Sequence, residues 1–125
     1  MRQSLRILLV EDHLSTCAAL RTWLSSLGHE VATANSVTSA YAQAETYPFE
    51  VLISDLQLPD GDGRELLGKL RQKRAFHAVA ITGHTNRADK ELSRVAGFQQ
   101  FLEKPVNVDV LRQILEAAAG DCAEE

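Results

Sequence analysis

The sequence predicts an α/β protein with a parallel sheet covered by helices on both faces. Short aliphatic or β-branched runs alternate with longer segments of helical spacing, and the alternation repeats five times. Strict alternation of this kind implies right-handed crossovers between parallel strands. Two of the runs, RILLV and EVLIS, read as apolar on both faces, as strands between two helical layers do. Each of those two also ends in acid: Glu11 and Asp12 follow the first, Asp55 the second.

The strand candidates are residues 5–10, 30–34, 50–54, 78–82 and 99–102. After the first, Leu14, Cys17, Leu20, Leu24 and Leu27 recur at three and four, an apolar stripe that ends at Gly28 as a C-terminal cap. Val37, Ala40, Tyr41 and Ala44 mark a second helix before Pro48, and Leu66, Leu67 and Leu70 a third after the turn-rich PDGDG. Ala88, Leu92, Val95 and Ala96 suggest a fourth, stopped by Gly97. Val108, Leu111, Ile114, Leu115 and Ala118 form a fifth, with Asn107 as its cap. No internal repeat, low-complexity tract or linker interrupts the pattern.

A length of 125 residues fits one domain, set at residues 1–120, with 121–125 an acidic tail or the start of a linker. With 45% hydrophobic and 24% charged residues the chain is ordinary for a globular protein and unlike a disordered one. A net charge of -4 offers no basic field for a phosphate backbone, so direct nucleic-acid binding is not expected. The first apolar run meets Glu11 and Asp12 too soon for a signal peptide or a membrane span, which leaves a cytoplasmic protein with no membrane contact. Cys17 and Cys122 lack the spacing of a disulfide framework or zinc site and read as free thiols.

If RILLV and EVLIS are neighbouring strands, three carboxylates gather at the sheet edge where open α/β folds place their ligands. Such a cluster calls for a divalent cation. Lys104, after QQFLE and before Pro105, brings an ammonium to the same edge, and the whole is suited to handling phosphate. Plainer readings compete: Asp12 as a helix cap, Asp55 as a loop acid, Thr82 as a β-favouring strand end, Lys104-Pro105 as an ordinary strand terminus. Asp60 and Asp62 read as solvated turn residues, and His13, His29 and His77 as surface or loop residues. The glycines of PDGDG supply turn geometry that lets backbone approach a metal.

The pair Glu11-Asp12, the stretch DLQLPDGDG from Asp55 to Gly63, Thr82-Gly83 and Lys104-Pro105 stand in order, each at a predicted strand end. With these motifs nearly the whole chain resembles the receiver domain of two-component response regulators. The resemblance implies a flavodoxin-like doubly wound (βα)5 three-layer sandwich with a parallel five-stranded sheet of order 2-1-3-4-5. It further implies phosphoryl transfer from a histidine kinase or histidine phosphotransfer domain onto Asp55, dependent on Mg²⁺ or Mn²⁺. By the same resemblance Asp12 and Asp55 ligate the metal, Glu11 acts through water, and the backbone carbonyl of Gln57 adds an oxygen.

Lys104 matches the lysine that pairs with the acids and then with the phosphoryl group, and Thr82 the hydroxyl that moves toward it. Phe101 matches the aromatic that swings inward with Thr82, switching a surface from the fourth helix to the fifth for an effector domain or target protein. Gln57 and His84 match positions that tune the lifetime of the acyl phosphate. Such a domain catalyses only its own phosphorylation and dephosphorylation, and phosphorylation leaves room for a homodimer. The wording KPV and ITGH is somewhat closer to receivers attached to hybrid kinases. The alternatives are a flavodoxin-like FMN electron carrier, a haloacid-dehalogenase-type phosphatase, and a degenerate receiver that only docks. The carrier would need a phosphate loop where Glu11 and Asp12 stand. The phosphatase would need a second acid at Gln57.

Overall fold

The computed structural model describes residues 4–83, 94 and 96–123. Within them, strands β1 (Arg6–Val10), β2 (Glu30–Ala34), β3 (Val51–Asp55), β4 (His77–Thr82) and β5 (Gln100–Glu103) form one sheet. Its order is β2-β1-β3-β4-β5 and every pairing is parallel, which is the predicted topology. The doubling back at β1 and β3 makes their carboxyl ends the switch point of the sheet.

The strands separate two cores by simple alternation of side chains. Leu8 and Val10 of β1 and Leu52 of β3 pack with α2 (Val37–Thr46) and α3 (Gly63–Arg71) on one face. Ile7, Leu9, Val51 and Ile53 pack with α1 (Leu14–Ser26) and the C-terminal helix Val108–Ala123 on the other. β3 is buried at all five positions, its Val51, Leu52 and Ile53 divided between the two cores because helices cover both its faces.

Caps follow the sequence where the cap residue is local. α1 ends at Leu27, and Gly28 takes φ +94 while its N–H donates to the Ser25 carbonyl at 3.0 Å. Asn107 accepts from the backbone of Asp109 and Val110, opening the C-terminal helix. Ser36 and Ser39 form a reciprocal capping box at the start of α2. Of the predicted fourth helix, Ala88, Leu92 and Val95 lie outside the described residues; Arg94 and Ala96 are helical, and Gly97 stops the segment with φ +117.

Three expectations need correcting. Leu14 was placed on the buried stripe of α1 but is 77% exposed, because the first turn of the helix begins beyond the end of β1. His77 is not a loop residue: it opens β4, half-buried, with its ring against the side chain of Gln100. His29 is half-buried as well, its Nδ1 accepting the Leu5 N–H at 3.0 Å, and burial holds its pKa below the ordinary imidazole value. The described helices include none long and apolar enough to cross a membrane.

Candidate functional site

The carboxyl ends of β1 and β3 bring together the acids that their sequences end on. Carboxylate oxygens of Glu11, Asp12 and Asp55 lie within 4.8 Å of one another. Glu11 is fully buried, Asp55 is 5% exposed, and Asp12 faces solvent. From the end of β5 the Lys104 ammonium reaches in, 2.7 Å from Glu11 Oε1 and 2.7 Å from Asp55 Oδ2. Among the described residues the cluster thus has three acids around one cation.

Local backbone fixes each group. The His13 N–H donates to Glu11 Oε2 at 3.1 Å, and the Gln57 N–H donates to Asp55 Oδ1 at 3.0 Å. Ser54 Oγ donates to the Asp55 carbonyl at 2.9 Å, beneath the site. Lys104 is held to the end of β4 by its own N–H, which donates to the Thr82 carbonyl at 2.8 Å. Thr82 itself is 2% exposed, and a cis peptide joins Lys104 to Pro105. Phe101 lies one strand away, half-buried, its ring 6.4 Å from that of Phe98. His84 lies outside the described residues.

Electrostatics follow from burial first. Desolvation drives the Glu11 pKa up, and the nearby Asp55 charge adds to that, against relief from Lys104 and the His13 N–H. For Lys104, burial works to lower the pKa, but hydrogen bonds and charge from Asp55 and Glu11 reverse it and leave it raised. Glu11 Oε1 is buried without a hydrogen bond of good geometry, although the ammonium is close. One lysine does not neutralise three carboxylates. The donors are all oxygens and the charge is excessive, so the residues present fit a hard divalent cation such as Mg²⁺.

Asp12 and Asp55 open into a cleft of about 1160 Å³ that runs from them and Lys104 along α1 to Trp23 and Val106. Gln57, Leu58 and Pro59 also line it. Those residues belong to a two-residue hairpin, Gln57–Leu58 against Gly61–Asp62, inserted between β3 and α3.

Asp60 is an exposed turn residue as expected, whereas Asp62 is half-buried, and both acids have partners that the sequence reading does not name. Asp62 caps α3, accepting the Arg64 N–H at 2.7 Å and pairing with the Arg64 guanidinium. Asp60, at the hairpin tip, accepts from Val37 N–H at 2.7 Å, Thr38 N–H at 3.0 Å and Thr38 Oγ1 at 2.7 Å. Those bonds, the Thr38 hydroxyl first, lower its pKa to about 2. The glycines also act differently from expectation. Neither Gly61 nor Gly63 has positive φ; Gly63 is required because a Cβ there would overlap the Asp55 carbonyl and lie 3.1 Å from Leu56 Cα. Asp12 does not cap α1, whose cap position is His13 without a side-chain hydrogen bond.

Residues 7–116 match the family model of the response regulator receiver domain. The virulence sensor protein BvgS of Bordetella bronchiseptica is 36% identical over 96% of this chain, which corresponds to 10% of that protein. The KDP operon transcriptional regulatory protein KdpE of Escherichia coli is 33% identical over 90% of the chain and half of its own length. The chain therefore spans a tenth to a half of these relatives. Among solved structures, a CheY-like receiver domain from Methanospirillum hungatei superposes with a TM-score of 0.87 at 30% identity, covering 96% of this chain and 98% of that one. The acids at the switch point thus sit in a fold and a sequence shared with these proteins, and the chain belongs to the response regulator receiver domain family.

Proposed function

We propose that Asp55 is the phosphoacceptor of this receiver domain, taking a phosphoryl group from the phosphohistidine of a histidine kinase or histidine phosphotransfer domain. The observation that carries the reading is the state of the Asp55 carboxylate: nearly buried, with Oδ1 oriented by the Gln57 N–H and Oδ2 by the Lys104 ammonium. A carboxylate so held is a preorganised nucleophile. Its oxygen forms the bond to phosphorus as the P–N bond of the donor breaks, and the departing imidazole takes up a proton.

Glu11, Asp12, Asp55 and the backbone carbonyl of Gln57 would hold the divalent metal, Mg²⁺ or Mn²⁺. When bound, that ion neutralises the carboxylates and the incoming phosphoryl oxygens. Lys104 is placed to follow charge from Asp55 Oδ2 to the phosphoryl group, a point-charge role suited to an ammonium. Thr82, buried at the end of the neighbouring strand, is the hydroxyl that joins the phosphoryl group, and Phe101 is the aromatic that follows it. Phosphorylation then favours a conformer with a different face around β5, read by an effector domain, a target protein or a second copy of the chain. The relatives lend no support to a flavin carrier.

Incubating the chain with phosphoramidate and MgCl₂ tests the reading by intact-mass measurement. One phosphoryl adduct, removed by hydroxylamine and absent from Asp55→Asn, is the expected result. A chain that never gains the adduct, or an Asp55→Asn variant that still does, overturns it. Beryllofluoride with Mg²⁺ should shift the amide spectrum; an unchanged spectrum would leave a docking module.

A further inference from the structure

We propose that Asp60 is a positioning residue for the metal site, tethering the hairpin that carries Gln57 to the first turn of α2. This rests on the receiver reading above and adds to it a residue outside the acid cluster.

The hairpin needs such an anchor. It consists of two residue pairs, Gln57 with Asp62 and Leu58 with Gly61, and so small a ribbon has little stability of its own. Its base is secured: the Gly63 N–H donates to the Leu56 carbonyl at 2.9 Å, and Asp62 caps α3. Its tip, Pro59 and Asp60, is exposed, and Pro59 forms part of the cleft wall. The bonds from Asp60 to Val37 and Thr38 cross from this tip to a different element of the fold.

The α2 terminus is a favourable partner for a carboxylate, because its first N–H groups have no intrahelical acceptors and its dipole attracts negative charge. The contact is also close in shape. A Cβ on Gly61 would lie 3.1 Å from Val37 Cγ2, so the tip is pressed against the residue whose N–H Asp60 holds. Ser36 already caps α2 through the Ser39 N–H at 3.0 Å, so the helix keeps a cap without Asp60, whereas the hairpin tip loses these bonds.

The consequence is that Asp60 sets where the Gln57 carbonyl stands relative to Asp55, three residues from a carboxyl group that touches no ligand itself. Residues that orient metal ligands typically change affinity by 10–100-fold when removed, and one step further out the expected effect is about fivefold.

The test is isothermal titration of Mg²⁺ into the unphosphorylated chain and four variants, Asp55→Asn among them as the control, with amide hydrogen exchange across residues 57–62. Asp60→Ala should weaken Mg²⁺ binding about fivefold and speed exchange in the hairpin. Asp60→Asn, which keeps one oxygen for Val37 but turns an amide toward Thr38, should give an intermediate loss and serves if the alanine variant does not fold. Ser36→Ala removes the local cap of α2 and should lower thermal stability while leaving Mg²⁺ affinity within about twofold. Equal affinity in the parent and both Asp60 variants overturns the tether alone, provided the parent binds Mg²⁺ and Asp55→Asn does not. A Ser36→Ala loss as large as that of Asp60→Ala also overturns it, since the effect would then belong to α2. A parent that binds no Mg²⁺ overturns the tether and the metal reading together.

Discussion

Replacing Lys104 by methionine removes the ammonium that pairs with Glu11 and Asp55 while keeping much of its length. At an effective dielectric near 20, each 2.7 Å contact with Glu11 and Asp55 is worth about 6 kcal/mol of attraction before desolvation. The carboxylates, within 4.8 Å of each other, repel by about 3.5 kcal/mol per pair on the same scale. Removing one partner of a buried ion pair typically costs about 3–5 kcal/mol, and the 26% exposure of Lys104 reduces that to about 2–3 kcal/mol for the metal-free chain. This corresponds to a fall of roughly 10 °C in Tm for a domain of this size.

The raised Lys104 pKa means its contribution is complete below the ordinary lysine value of 10.5 and is lost only as pH rises through the higher folded value. Measurement at neutral pH therefore sees all of it. A divalent ion supplies the missing charge, so saturating Mg²⁺ should shrink the deficit by about 1.4 kcal/mol, which by linkage means about tenfold tighter Mg²⁺ binding in Lys104→Met. Urea unfolding with and without MgCl₂, beside a direct Mg²⁺ titration, measures both quantities. A deficit that is the same in both buffers, or weaker binding of Mg²⁺ by the variant, refutes the view of Lys104 as the counter-charge of the site.

Gly63→Ala should destabilise the chain by about 1–3 kcal/mol and slow phosphorylation, because the new Cβ overlaps the carbonyl of Asp55; a variant that unfolds and phosphorylates like the parent would show that the contact relaxes freely. His29 accepts the Leu5 N–H through Nδ1 and burial lowers its pKa from 6.5, so its contribution is present above 6.5 and lost as pH falls through the lower folded value. Urea unfolding at several pH values should show that loss in the parent and a flatter profile in His29→Ala. Gln57→Ala and His84→Ala should each change the half-life of the acyl phosphate, followed by loss of the mass adduct; two unchanged half-lives would remove both residues from control of hydrolysis.

The sheet was legible because its signal is repeated and local. β1, β3 and β4 are built on apolar runs, each described crossover is a helical stripe, and the observed bounds differ from the expected ones by a residue or so, as at His77 and Gln100. The acids were legible for a related reason: in a parallel sheet the chain direction alone places Asp12, Asp55 and Lys104 at one edge. What periodicity does not report is how far a helix overhangs the sheet. Leu14 sits at a correct stripe position, yet β1 has already ended beneath it.

The partners of the turn acids show the deeper limit. Asp62 is within two residues of its partner Arg64, so the Asp-x-Arg spacing at a helix start was a usable local signal. Asp60 bonds to groups that precede it by 23 and 22 positions, and nothing in PDGDG names them. Its partners are in reach only because β1 lies between β2 and β3, which sets the start of α2 beside the loop after β3 on the same face of the sheet. A turn acid therefore acquires a role only from the strand order. The same logic separates Asp60 from Asp55: Asp55 needs the sheet to meet Glu11 and Asp12, but its place at a strand end already points there, whereas a carboxylate at a loop tip points nowhere until the neighbouring helix is known. Residues of the second kind are where function that sequence motifs do not mark is to be sought in this fold.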